Sequence, residues 1–522
     1  MSSASPVPGD THSPRVDYFY DEAIGNFHYG EGHPMRPHRV RLTHHLVVNY
    51  GLYKHMNIFR PRPASRADLT AFHSDDYIRF LSDVTPDSLA DLNPGIIERY
   101  NMGEDCPVFD GLYEYCCTYT GGSLAGAARL NQGCADIVIN WAGGLHHAKR
   151  GEASGFCYTN DIVLAILELM KTFSRVLYID IDIHHGDGVE EAFYLTDRVL
   201  TLSFHQSGHN FFPRTGFGND TGAKRGRGYA INFPLSAGMD DEAYESIYRP
   251  VIAKIMEHYQ PGVVVMCCGA DSLSGDRVGC WNLSFRGHAG VLEYVKTFNL
   301  PMLVLGGGGY TIRNVARCWC FETSRLLGQQ IPDALPWHEY MDYYAPEYRL
   351  HVPISNMENE NTRETLEKTK AKVLEQIAAL EATPSASQLM TSQPGARRAP
   401  DTYTCFECDS EEDDDFPTNP NPNPNPNPNP NPNPNPNPNP SPNPNPNPNQ
   451  DDDFPNTRPH RAKRSVLKSP AARACPAAAA RAAAVHPLTH SPRSLLRAGL
   501  TWRSSLTRMM RRATRWTPSA SA

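Results

Sequence analysis

The chain has 522 residues, 40% apolar and 20% charged, enough for a large core or several domains of ~100–200 residues, and no apolar run approaches the ~18–20 residues a membrane-spanning helix needs. Met1–Arg15 is rich in Ser and Pro, without the basic start and apolar stretch of a secretory leader, and the 13 cysteines, an odd number set in apolar segments, read as reduced core thiols rather than a disulfide framework. The net charge of −8 hides an asymmetry: −11 over residues 1–400, −11 over 401–455 and +14 over 456–522, so a mildly acidic body precedes an acidic block and a basic tail.

Residues 1–15 are expected to be disordered and residues 16–385 to form one folded domain. Within it, short β-branched runs alternate with segments of helical period, the signature of an α/β fold with a parallel sheet covered by helices. The predicted strands are Asp136–Asn140, Val176–Ile183, Val199–Phe204, Val263–Cys267 and Met302–Leu305. The predicted helices are Asp161–Thr172, Val189–Tyr194, Asp241–His258, Gly287–Phe298 and Ile312–Leu327. Residues 386–418 form an acidic linker, and 419–450 hold fourteen Asn-Pro dipeptides that exclude helix and sheet ladders. Residues 451–522 are predicted to be a basic, disordered tail.

In the second predicted strand, Ile179, Ile181 and Ile183 alternate with Asp180, Asp182 and His184, which assigns ionisable groups to one strand face. Burying the three carboxylates of Asp180, Asp182 and Asp187 within so short a stretch costs several kcal/mol each, roughly, unless a cation or donors compensate. The i, i+2 spacing of Asp182 and His184 suits two ligands of a four-coordinate metal; a strand-end hydrogen-bond network is the alternative. Asp271, after the run Val263–Cys268, is the third candidate ligand, with a helix cap as its other reading. Oxygen and nitrogen donors fit Zn²⁺ and leave Fe²⁺, Mn²⁺ and Co²⁺ open, and three protein ligands leave an open, catalytic position. His146 and His147, beyond the turn Gly143-Gly144, suit a base and its partner, and Asp180 or Asp187 is free to orient an imidazole. Tyr310, after Gly306–Gly309, presents a phenol suited to a developing oxyanion or, alternatively, an aromatic packed on the sheet.

The order Gly103–Pro107, Trp141–Lys149, Gly155-Phe156-Cys157-Tyr158, Tyr178–Gly188, Asp271–Asp276 and Gly306–Arg317 closely resembles class I histone deacetylases over roughly residues 16–380. Within the class, Asn26–Gly30, Asn210–Pro213 and Cys268–Asp271 look most like histone deacetylase 3. The resemblance implies an arginase/deacetylase-like open parallel sheet with helices on both faces. It also implies zinc-dependent hydrolysis of ε-N-acetyl-lysine in histone tails and other proteins, in a nuclear corepressor complex with a possible cytoplasmic pool. Asp182, His184 and Asp271 would hold Zn²⁺. His147 would be the base and acid beside His146, with Asp180 on His146, Asp187 on His147, and Tyr310 on the oxyanion. Gly155, Phe156 and Phe212 would line the lysine channel, and Asp105 would hold the substrate backbone at its rim. K⁺ or Na⁺ would sit at two sites, one from Asp180, Asp182, His184, Ser203 and Phe204, the other from Phe193, Thr196, Val199 and Tyr229. His28, Gly32, Arg36, Arg277 and Arg313 would bind an inositol phosphate shared with a corepressor scaffold. Neither sequence-specific DNA binding nor membrane association is implied.

Arg214 stands where the family pattern has Gly, Val278 where it has a rim Leu, and Arg36 where Lys is usual; Gln206-Ser207 and Trp281 also depart from it. In the tail, Ser410 before Glu411–Asp415 resembles an acidophilic kinase site, and Arg458–Arg464 reads as a nuclear-import patch or a solvated run. Trp502, Leu506, Met509, Met510, Ala513 and Trp516 make one helical stripe opposite five arginines.

Overall fold

The computed structural model describes residues 13–89 and 91–380. Eight strands form one sheet: β1 Val16–Phe19, β2 Asn57–Phe59, β3 Ile137–Asn140, β4 Val176–Asp180, β5 Val199–Gln206, β6 Ala230–Leu235, β7 Val263–Cys267 and β8 Met302–Leu305. Their order is β2-β1-β3-β8-β7-β4-β5-β6, and every pairing is parallel. The central strands are buried on both faces, as continuous apolar runs in parallel sheets are. Leu177 and Ile179 of β4 join one core with Met266 and Val304, and Val176 and Tyr178 join the other with Val265 and Leu303. Helices Asp241–Tyr259, Phe285–Lys296 and Ile312–Leu326 supply the first core and helix Asp161–Leu169 the second, so the α/β fold expected from the sequence is the one formed.

Several boundaries are corrected: helix Asp161–Thr172 ends at Leu169, helix Val189–Tyr194 spans Asp187–Phe193, and strand Val199–Phe204 runs on to Gln206. The predicted strand Val176–Ile183 ends at Asp180, because after the Ile181 amide, which still donates to the Cys267 carbonyl, the amides turn to carboxylates: Asp182 N–H donates to Asp180 Oδ1 at 3.1 Å and Ile183 N–H to Asp271 Oδ1 at 3.0 Å. The helix predicted from Gly287 begins at Phe285, where the Ser284 hydroxyl accepts from the Arg286 and Gly287 amides and caps it. Strands β1, β2 and β6 and helices His38–Asn49, Leu112–Asn131 and Arg363–Ala378 were not predicted. The last of these buries Leu366, Val373 and Ile377, and its Gln376 amide donates to the Gly228 and Ala230 carbonyls at the start of β6. All ten cysteines among the described residues are free thiols, as expected. The Asn-Pro repeat, Ser410, the basic patch at 458–464 and the stripe at 502–516 lie outside the described residues.

Register brings the carboxyl ends of β3, β8, β7 and β4 level: Asn140 pairs with Leu305, Leu305 with Cys267 and Cys267 with Asp180. Ligands in open parallel sheets bind beyond these ends, and the segments that leave them carry the candidate residues.

Candidate metal centre and active site

Asp182, His184 and Asp271 are all buried, and their ligand atoms lie within 4.8 Å of one another. His184 Nδ1 is 3.1 Å from Asp182 Oδ1 and 3.0 Å from Asp271 Oδ2. The outer oxygen of each carboxylate is held by backbone: Gly308 N–H donates to Asp182 Oδ2 at 2.7 Å, and Ile183 N–H to Asp271 Oδ1. The inner atoms therefore converge. Side chains are excluded from the cradle, since a Cβ on Gly269 would lie 1.8 Å from Asp182 Oδ2 and one on Gly308 2.1 Å from Asp271 Oδ2. Burial, and then the neighbouring Asp182 charge, pushes the Asp271 carboxyl above the usual carboxylate range, the strain of two buried carboxylates turned toward one point. Two carboxylates and one imidazole in a buried cradle fit a divalent cation of the Zn²⁺ class, with coordination positions to spare.

Beside this cradle, the turn after β3 delivers the two histidines. Gly144 has φ +93°, and a Cβ there would meet the Gly306 carbonyl carbon at 2.4 Å, so only glycine permits the approach of these loops. The turn is fixed by Asp161, which accepts from the Gly144 and Leu145 amides and from the Ser123 hydroxyl. His146 Nδ1 meets Asp180 Oδ2 and His147 Nδ1 meets Asp187 Oδ1, both at 2.7 Å, with the imidazoles 3.9 Å apart. Tyr178 donates its hydroxyl to the same Asp180 oxygen, and Lys149 pairs with the second Asp187 oxygen. The two rings diverge electrostatically. Burial disfavours a charged His146, but Asp180 and Asp182 outweigh it and raise its pKa to about 9. Burial and then the His146 charge hold His147 down at about 3 despite Asp187. His147 is thus a neutral acceptor next to a cationic neighbour.

Tyr310 is buried at the third corner. Its amide donates to Asp276 Oδ2 at 2.7 Å, and Asp276 also accepts from Val278, Gly279 and Thr311. The glycine loop before it is clamped by buried Arg39, whose guanidinium donates to the Gly307 and Gly309 carbonyls and lies over Trp319, itself stacked on Trp141. Phe212 stands edge-on to His147 at 4.8 Å, Phe156 edge-on to Tyr310 at 5.7 Å, and Phe211 stacks on His184. Gly155 lies where any Cβ would strike His147 at 2.5 Å and Phe212 at 2.7 Å. Asp105 is exposed, its carbonyl 3.3 Å from His33 Nε2, and the His33 ring packs on Phe156.

The structure therefore brings together every predicted metal, proton-transfer and channel residue except Asp105, which stands outside at the edge. Of the first monovalent-cation set, Asp180 at the end of β4 is the register partner of Ser203 within β5. In the second set, Phe193 and Thr196 precede β5, which Val199 opens, and Tyr229 precedes β6. His28, Gly32, Arg36, Arg277 and Arg313 are all exposed. The sequence reading missed Arg39, Asp161, Tyr178, Phe211 and Asp276 as positioning groups. Only Asp161 carried a signal, as a charge at the start of an apolar helical segment.

A histone deacetylase domain model matches residues 33–326. The chain is 56% identical over 401 residues to type-1 histone deacetylase 1 of Dictyostelium discoideum, covering 77% of this chain and 79% of that protein. It is 58% identical over 370 residues to human histone deacetylase 1, covering 71% and 76%, and 55% identical over 401 residues to histone deacetylase 19 of Arabidopsis thaliana, covering 77% and 78%. These whole-domain similarities point to the type-1 enzymes rather than to histone deacetylase 3, whose likeness rests on three short segments. With the sheet, the donor set and these similarities in agreement, the chain belongs to the class I histone deacetylase family.

Proposed function

We propose that this chain hydrolyses the amide of ε-N-acetyl-lysine in histone tails and other proteins, as the type-1-like catalytic subunit of a nuclear corepressor complex with a possible cytoplasmic pool. The observation that carries the reading is the convergence of Asp182, His184 and Asp271 beside a neutral His147 and the buried Tyr310. Bound Zn²⁺ supplies Lewis-acid polarisation of a carbonyl and a more acidic water. The chain's own residues do the rest. Phe156, Phe212 and the bare Gly155 give the uncharged lysine stem a narrow apolar passage, and Asp105 accepts from the substrate backbone at its edge. His147 Nε2 takes the proton of the attacking water and returns it to the leaving amine, while Asp187 holds Nδ1 and so fixes the tautomer. His146, kept cationic by Asp180, adds positive charge beside the reacting carbon. The Tyr310 hydroxyl donates to the carbonyl oxygen as negative charge develops there.

K⁺ or Na⁺ at the two sets would stiffen β4 and β5 behind the ligands. Arg36, Arg277 and Arg313, with His28 and Gly32, would take an inositol phosphate shared with a corepressor scaffold. The folded unit is read as residues 16–385. Deacetylation of an acetyl-lysine peptide by wild-type, His147→Ala and Tyr310→Phe chains tests the assignment: falls of about 100-fold or more in kcat at each site are expected, and full activity in both variants would refute it.

A further inference from the structure

We propose that Arg214 is a specificity-determining cation at the channel mouth that selects acetyl-lysines flanked by an acidic residue; this rests on the deacetylase reading above. Arg214 adopts φ +70°, in the left-handed region that L side chains with a Cβ avoid. The loop gives it no room to relax, because it is anchored on both sides. Upstream, Phe211 stacks on His184 and Phe212 packs on His147. Downstream, the Thr215 hydroxyl meets Nδ1 of buried His185 at 2.8 Å, and the Gly216 carbonyl meets Nε2 of buried His205 at 2.8 Å. His185 is tied in turn to Glu190, which also accepts from Asn232. The backbone at 214 is thus imposed by its surroundings, and glycine would fill it without penalty.

What an arginine adds there is charge. Its side chain is exposed and forms no hydrogen bond or ion pair among the described residues, two positions after the Phe212 wall. The other wall adjoins an acidic segment: Phe156 packs against His33, whose ring meets the Asp105 backbone carbonyl, and Asp105 and its neighbour Glu104 are both exposed. The mouth is therefore polarised, cationic on the Phe212 side and anionic on the Phe156 side. A peptide threading its acetyl-lysine between the walls meets an unneutralised guanidinium whose geometry suits a carboxylate.

The test compares the full chain and its Arg214→Gly and Arg214→Glu variants on three acetyl-lysine peptides that differ only in a flanking Glu, Gln or Lys, scanned on both sides. Wild type should favour the best-placed Glu peptide over its Lys counterpart by about fivefold in kcat/KM, less at 0.5 M NaCl because exposed charges are screened. Arg214→Gly, which suits the backbone, should bring the ratio near one, and Arg214→Glu should invert it. Ratios equal within twofold in wild type and Arg214→Gly, with the Gln peptide still turned over, would overturn the inference and leave the deacetylase reading standing. No turnover of any peptide by metal-loaded wild type would overturn both.

Discussion

At the scale of single residues, the site depends on what is absent as much as on what is present. Gly155 has φ +50° and no space for a methyl group between His147 and Phe212. Gly155→Ala should therefore lower kcat/KM for acetyl-lysine peptides by about 100-fold through displacement of His147, a 1 Å error being worth that much; steady-state kinetics check this. Asp276 touches no reacting atom, yet it collects four backbone amides and fixes the start of the Tyr310 segment. Asp276→Asn turns an amide donor toward those amides and should cost about 1–3 kcal/mol in chemical denaturation, with kcat falling more than KM changes. Asp182, His184, His146 and His147 were legible in the sequence because ionisable groups crowd an apolar strand end. Asp276 and Arg39 were not, because a buttress from a distant segment leaves no local pattern.

At the scale of elements, the central strands were readable as uninterrupted apolar runs, while β1 and β2, of four and three residues, were too short to stand out, and β6 contains Asn232 and Pro234. The overlong β4 shows how the reading failed: the alternation continues through Ile181 and Ile183 because the site, like the sheet, buries them. The loop before helix Asp161–Leu169 shows how an element is locked to its neighbours and to pH. Buried His73 accepts the Asn160 amide on Nε2 at 2.9 Å and donates from Nδ1 to the Arg150 carbonyl. Burial holds its pKa down at about 4, against ~6.5 in an unfolded chain. A depressed histidine pKa means the unfolded state binds the proton more readily. Its contribution is therefore complete above pH 6.5 and is lost as pH falls toward 4, a change of roughly 3 kcal/mol. Urea melts of His73→Gln, which keeps an acceptor for the Asn160 amide, should show a shallower loss of stability across that window than wild type. An unchanged slope would remove His73 from the account.

At the scale of the whole molecule, the parallel sheet sets four strand ends level so that loops far apart in sequence meet over one cradle, and the family similarity spans this unit. Its last described helix, Arg363–Ala378, seals the β6 edge, so a chain ended at residue 385 should keep peptide kcat/KM within about twofold, whereas one ended at residue 360 should lose cooperative thermal unfolding. The long proline repeat and charged tail were legible as composition alone, which identifies a spacer but no chemistry.

The most direct test of the central claim is metal-dependent turnover: acetyl-lysine peptide hydrolysis by the full chain after chelation, and again after Zn²⁺ return, together with the Zn²⁺ content of wild type and Asp182→Asn. One Zn²⁺ per chain in wild type, activity lost and restored with it, and both abolished by Asp182→Asn, is the predicted result. Undiminished hydrolysis by verified metal-free protein, or full Zn²⁺ occupancy and activity in Asp182→Asn, would contradict it.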